Sequence, residues 1–162
     1  ESFMTALTAL SDKLVLDVVD RQADAAYAPC VKVCLADGTP TGLAFHGIPS
    51  GHEFTSFVLG LYNAAGPGQS IDFDTQQKIA AIKKSTDMKI LVTLSCTMCP
   101  DLVVAAQRIA TANPNITAHI YDIRHFENLK NQYNVMSVPC MVLNDTGVFF
   151  GKKNIQQILS LI

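Results

Sequence analysis

The chain has 162 residues, 49% of them hydrophobic and 16% charged, with a formal net charge of −2 when its four histidines are neutral. That composition fits a globular chain with one good core or two small ones and excludes a disordered one. No basic cluster marks a nucleic-acid interface, no apolar run reaches the ~18 residues of a membrane span, and no basic-then-apolar leader predicts a signal peptide.

In chain order, Phe3, Leu7 and Leu10 predict a short first helix. Residues 14–19, Leu14-Val15-Leu16-Asp17-Val18-Val19, read as a strand, and residues 23–28 as a small-residue connection. Residues 31–36 and 41–47 read as two arms of a hairpin around the turn Asp37-Gly38-Thr39-Pro40. Phe54, Phe57, Val58 and Leu61 mark a helix with these four side chains in its core face, closed by Gly66-Pro67-Gly68. Asp72 or Asp74 caps the next helix, whose inner face includes Ile79 and Ile82. A strand over residues 90–94 leads into a helix. Residues 115–123 form another strand, with Ile116, Ala118 and Ile120 on one face. Phe126, Leu129 and Tyr133 mark a short helix. The strand Met141-Val142-Leu143, the turn Asn144-Asp145-Thr146-Gly147, the strand Val148-Phe149-Phe150 and a helix carrying Ile155, Ile158, Leu159 and Ile162 complete the chain.

The chemistry concentrates at Cys96-Thr97-Met98-Cys99-Pro100. A β-branched-rich strand precedes it, and Leu102, Val103, Ala106, Ile109 and Ala110 after it have the spacing of a buried helix face. Two thiols separated by two residues at a helix N-terminus are placed to close a small disulfide ring. Exposed backbone N–H groups and the helix dipole favour a thiolate there. A thiolate attacks a partner's disulfide, so this motif predicts electron transfer between thiols and disulfides. Cys96 precedes the helix and is the expected nucleophile; Cys99, one turn in, is expected to be more buried and to resolve the mixed disulfide. Five cysteines is an odd count without scaffold spacing, which points to the cytoplasm and one reactive dithiol.

The second half therefore runs helix, β-α-β, helix, β-β-α, the thioredoxin-like order. Pro29-Cys30-Val31-Lys32-Val33-Cys34-Leu35-Ala36-Asp37-Gly38 echoes Pro139-Cys140-Met141-Val142-Leu143-Asn144-Asp145: proline, cysteine, apolar strand, acidic turn. This predicts an α/β chain of two fused thioredoxin-like folds, with mixed central sheets flanked by helices. The units span residues 1–68, without a dithiol and without its first strand, and residues 69–162, with the CxxC redox centre.

Three segments, Gly51-His52-Glu53-Phe54-Thr55-Ser56-Phe57-Val58-Leu59, Leu94-Ser95-Cys96-Thr97-Met98-Cys99-Pro100-Asp101 and Asn134-Val135-Met136-Ser137-Val138-Pro139, carry a resemblance. Together they resemble the N-terminal domain of the alkyl hydroperoxide reductase flavoprotein subunit over essentially the whole chain. The resemblance implies a relay that takes electrons from a flavoprotein dithiol and passes them to a peroxiredoxin disulfide in peroxide reduction. The chain has no GxGxxG, so FAD and NAD(P)H are expected in a linked or partner flavoprotein and no cofactor in this chain. It ends about where the family's linker would begin, and it opens on Glu1. A fragment of a longer flavoprotein and a separately encoded relay domain both stay open.

The resemblance also implies a cis-proline at Pro139 facing the dithiol. Thr97, Met98, Val138 and Pro139 are then the expected partner-binding residues, with an incoming strand pairing to the backbone before Pro139. Glu53 reads as an ordinary acid at a helix start, or as a carboxylate facing the dithiol that moves a proton or tunes the thiols. His52 reads as a surface residue, and His46, His119 and His125 as structural. Cys30, Cys34 and Cys140 depart from the family pattern and read as structural. Cys30 and Cys34 share one strand face, about 13 Å apart, too far to bridge. Zinc would need four ligands, and the residues beside Cys96 and Cys99 lack that spacing, so no metal is expected. Alternative functions are a free-standing glutaredoxin-like disulfide oxidoreductase, or a redox-inert or metal-holding module.

Overall fold

A computed structural model describes residues 1–20 and 26–162. Residues 23–25 of the connection expected over 23–28 lie outside the described residues.

A short helix α1 (Ser2–Thr8) is followed by the hairpin β1 (Cys30–Cys34) and β2 (Pro40–His46), then helices α2 (Glu53–Ala65) and α3 (Phe73–Ala81). Then come β3 (Thr86–Val92), α4 (Cys99–Ala112), β4 (Ile116–Asp122), α5 (Glu127–Gln132), β5 (Cys140–Leu143), β6 (Gly147–Phe150) and α6 (Ile155–Leu159). The strands of both halves join in one six-stranded mixed sheet of order β1-β2-β4-β3-β5-β6. The join is β2 against β4, parallel, from Leu43↔Ala118 to His46↔Tyr121. The fold is thus α/β and thioredoxin-like, with helices on both faces of the sheet.

Strand alternation divides the side chains between two layers. Phe45, Ile90, Ile120 and Met141 point to one face and meet Phe57 of α2, Ile79 of α3, Leu102, Val103 and Ile109 of α4 and Ile158 of α6. Leu91, Tyr121, Cys140 and Val142 point to the other and are covered by Phe126, Leu129 and Val135 around α5. Helix α4 buries Leu102, Val103, Ala106, Ile109 and Ala110, the face its sequence spacing predicts. Asp72 caps α3 by accepting from the Thr75 N–H at 2.9 Å.

The two hairpins close in the same way. The Ala28–Pro29 and Val138–Pro139 peptides are both cis. The Pro29 carbonyl accepts from the Gly47 N–H at 2.7 Å, and the Pro139 carbonyl from the Gly151 N–H at 2.8 Å.

Two expectations fail. Residues 14–19 are not a strand. Val15 is 91% exposed, because a β-branched run is stable as a strand only with a ladder partner and a face to bury. Among the described residues, β1 pairs only with β2. Phe54 and Val58 do not fill a core either; both are exposed. Helix α2 turns Glu53, Ser56, Phe57 and Gly60 inward, so part of its buried stripe is polar. Phe54 sits off that stripe, edge-on to Phe3 with ring centroids 6.1 Å apart.

Candidate active site

Strand β3 ends at Val92, and the chain turns through residues 93–98 before α4 begins at Cys99. The Cys96 N–H closes this corner on the Thr93 carbonyl at 3.0 Å. Cys96 and Cys99 form a disulfide, with Cα atoms 5.5 Å apart. Cys96 is half-buried, whereas Cys99 is completely buried in the core at the first turn of α4. Pro100 follows at the helix start, where a missing N–H costs nothing. The accessible sulfur is therefore the one before the helix.

Thr97 and Met98 are exposed, Val138 is half-buried and Pro139 is buried. Among the described residues, Ser137 and Val138 make no backbone hydrogen bond. Two further residues had no role assigned from the sequence. Met136 is 87% exposed on the loop before Pro139, a large apolar side chain with no shelter. The Arg124 guanidinium donates to Ser95 Oγ at 3.4 Å, one residue from Cys96. A lone exposed Met and a lone Arg after a strand carry no sequence signal of their own.

Glu53 is at the start of α2, as predicted, but with no exposed surface at all. The entry to α2 is fastened to the corner before the dithiol: the His52 N–H donates to the Leu94 carbonyl at 3.0 Å. Gly51 permits this approach. Its φ is +59°, and a Cβ there would lie 2.6 Å from the same carbonyl oxygen. The Ser56 hydroxyl donates to Glu53 Oε2, while Oε1 has no partner among the described residues. Burial disfavours the charged carboxylate and raises the Glu53 pKa to about 7, with the Ser56 hydrogen bond pulling the other way. His52 is exposed.

The remaining cysteines separate by environment. Cys140 is buried on β5, and burial pushes its thiol up to about 11. Cys34 is exposed at the end of β1, so its side chain fills no core position. Among the described residues no group of three or more His, Cys, Asp or Glu is arranged to hold a metal ion. No helix of the described residues is long and apolar enough to cross a membrane.

A thioredoxin-domain family model matches residues 86–162. The crystal structure of the NTD_N/C domain of alkylhydroperoxide reductase AhpF from Enterococcus faecalis superposes with a TM-score of 0.93 at 37% identity, covering 99% of this chain and 81% of that one. The F subunit of alkyl hydroperoxide reductase from Pseudomonas aeruginosa is 36% identical over 125 residues, which is 77% of this chain and 24% of that protein. A protein named NADH dehydrogenase from Bacillus subtilis is 33% identical over 123 residues. The chain thus spans about a quarter of the length of the curated relatives it matches. A protein disulfide oxidoreductase from Aeropyrum pernix shares the fold, with a TM-score of 0.72 at 24% identity.

Proposed function

The chain belongs to the family of the AhpF N-terminal domain, and on that premise we propose that it is a cytoplasmic thiol–disulfide relay passing electrons from a flavoprotein dithiol to a peroxiredoxin disulfide. The observation that carries this reading is the Cys96–Cys99 disulfide at the mouth of α4, with one sulfur accessible and one buried. In the reduced state, Cys96 as thiolate attacks one sulfur of the partner disulfide, and the partner's other sulfur leaves with the electron pair. Cys99 then attacks Cys96 Sγ, releases the partner as a dithiol and closes the ring. A flavoprotein dithiol, in a linked or separate module that also holds FAD and uses NAD(P)H, reduces the ring again. No cofactor is assigned to this chain.

Thr97, Met98, Val138 and Pro139 are read as the partner-binding rim, and Met136 extends it. The unpaired backbone at Ser137 and Val138 supports strand pairing by the incoming partner. Glu53 is read as the buried group that takes up and returns a proton beside the dithiol. Its missing solvent, its unpartnered oxygen and its raised pKa support that role. The units are read as residues 1–68 and 69–162, supported by the matching closure at Pro29 and Pro139.

The test is a trap. Cys99→Ser leaves a nucleophile without a resolving thiol, so mixed disulfides accumulate on Cys96. A peroxiredoxin and a flavoprotein module in the trapped species are the expected result. Capture of glutathione alone would replace the relay by a glutaredoxin-like oxidoreductase, and no trapped species at all would leave an inert module.

A further inference from the structure

A cation stands at the rim of the dithiol without a carboxylate partner among the described residues. Strand β4 ends beside β3, with Asp122 opposite Val92 in the parallel ladder. The Ile123 N–H then donates to the Val92 carbonyl at 3.0 Å, and the Arg124 N–H to Asp122 Oδ1 at 3.1 Å. These bonds deliver Arg124 to the corner between β3 and α4, where its guanidinium donates to Ser95 Oγ at 3.4 Å. Arg124 and Ser95 are both exposed. Among the described residues Arg124 is in no ion pair. Asp101, the acid in the first turn of α4, is engaged by Lys152 at 3.5 Å. Glu127, exposed in the first turn of α5, does not pair with Arg124.

A guanidinium carries five N–H donors in a planar fork, and the bond to Ser95 uses one of them. The others suit a carboxylate, which accepts two at once. The Ser95 bond already restrains the long side chain beside Cys96, so less freedom is lost when a ligand arrives. A second cation extends the patch. Lys130 lines one cleft with Asn134, Val135 and Met136, and among the described residues it too is in no ion pair. Met98 and Met136 give the same rim exposed apolar surface. The chain as a whole has a net charge of −2, so the positive rim is a local arrangement and not a consequence of composition.

We propose that Arg124, assisted by Lys130, binds an aspartate or glutamate beside the reacting cysteine of the protein partner. The proposal rests on the relay reading and adds the charge of the segment that docks. A strand pairing with the open backbone at Ser137 and Val138 brings its own cysteine to Cys96. Residues one or two positions along that strand lie about 3–7 Å from the cysteine, the range in which a fork anchored at Ser95 meets a side-chain carboxylate. Attraction to the fork speeds encounter and fixes the register of the strand, and a basic segment is repelled by the same cation.

The experiment offers three disulfides to the full chain with Cys96 and Cys99 reduced. One is a disulfide-linked peptide pair with glutamates flanking the cysteine, the second the same pair with lysines, and the third the neutral hydroxyethyl disulfide. Rates are read at low salt. The glutamate peptide should react about tenfold faster than the lysine peptide, and about 0.5 M salt should shrink that ratio to about two. Arg124→Ala should cut the ratio to about two as well, the remainder being due to Lys130, and Arg124→Lys should restore part of it by keeping the charge. Equal rates for the two peptides in the unmodified protein overturn the proposal, and that comparison needs no variant to fold. A full ratio in Arg124→Ala overturns it too, and if all three rates fall together the arginine acts on the Cys96 thiolate instead of on the partner. Reaction of the neutral disulfide with no charge preference between the peptides sinks this proposal alone. No reaction with any of the three sinks the relay reading and this proposal with it.

Discussion

The hydroxyl of Ser56 donates to the carboxyl of Glu53, and both side chains are sealed from solvent where α2 meets the corner before the dithiol. A buried acid with one hydrogen bond and one unpartnered oxygen is stable only when neutral, so this pair ties the stability of the fold to pH.

Glu53 titrates at about 7 in the folded chain against 4.5 ordinarily. Below pH 4.5 both states hold the proton and the difference vanishes. Between 4.5 and about 7 the unfolded chain has released it and the folded chain has not, so stability falls as pH rises. Above about 7 the loss is complete, on the order of 3 kcal/mol for a shift of this size. Glu53→Gln should flatten that slope and be the more stable protein at pH 8. Urea unfolding at pH 5 and pH 8 measures it, and parallel slopes in the two proteins would refute the assignment.

In the reduced protein Cys96 should alkylate at least about tenfold faster than Cys99, because the thiolate's access decides the rate. Competitive labelling with iodoacetamide and peptide mapping reads the order. Cys96→Ser should abolish disulfide reduction. Faster labelling of Cys99 would reverse the two roles.

Cys140→Ala should keep most of the turnover. The thiol is buried and its pKa is pushed up to about 11, far from a nucleophile's range. Losing the sulfur from a packed site should cost about 1 kcal/mol. Loss of turnover at normal fold content would make Cys140 a participant.

Gly51 and Gly38 form a matched pair of substitutions. Both have positive φ, +59° and +85°, but a Cβ at Gly51 meets the Leu94 carbonyl at 2.6 Å and one at Gly38 meets nothing. Gly38→Ala should cost about 1 kcal/mol, the backbone penalty alone. Gly51→Ala should cost about 2–3 kcal/mol and slow reduction of the dithiol, since α2 must pull away from Leu94. Equal costs in denaturant titrations would show that the corner gives way freely.

The dithiol corner was legible because every local signal agreed: β-branched residues, then two cysteines, then a helical apolar stripe from Leu102 to Ala110. Helix and strand order followed from turn residues such as Gly38 and Gly147. The failures lie where pattern and partner part. Leu14 to Val19 has the composition of a strand, but composition does not supply a neighbouring strand. Helix α2 misled because its buried face carries Glu53 and Ser56, so the apolar residues Phe54 and Val58 outlined the wrong stripe. The aromatic cage around His46 draws on Tyr27, Tyr121 and Phe126, and no spacing along the chain announces that meeting.

The parallel pairing of β2 with β4 bears on modularity. Residues 69–162 carry the dithiol and the strands β3 to β6, yet cutting them loose would strip β4 of its neighbour from Ala118 to Tyr121. That would leave a row of unsatisfied N–H and C=O groups in the middle of what had been a continuous sheet, an invitation to edge-to-edge aggregation. Residues 69–162 expressed alone should therefore aggregate where the full chain stays monodisperse, because β2 covers the β4 edge from Ala118 to Tyr121.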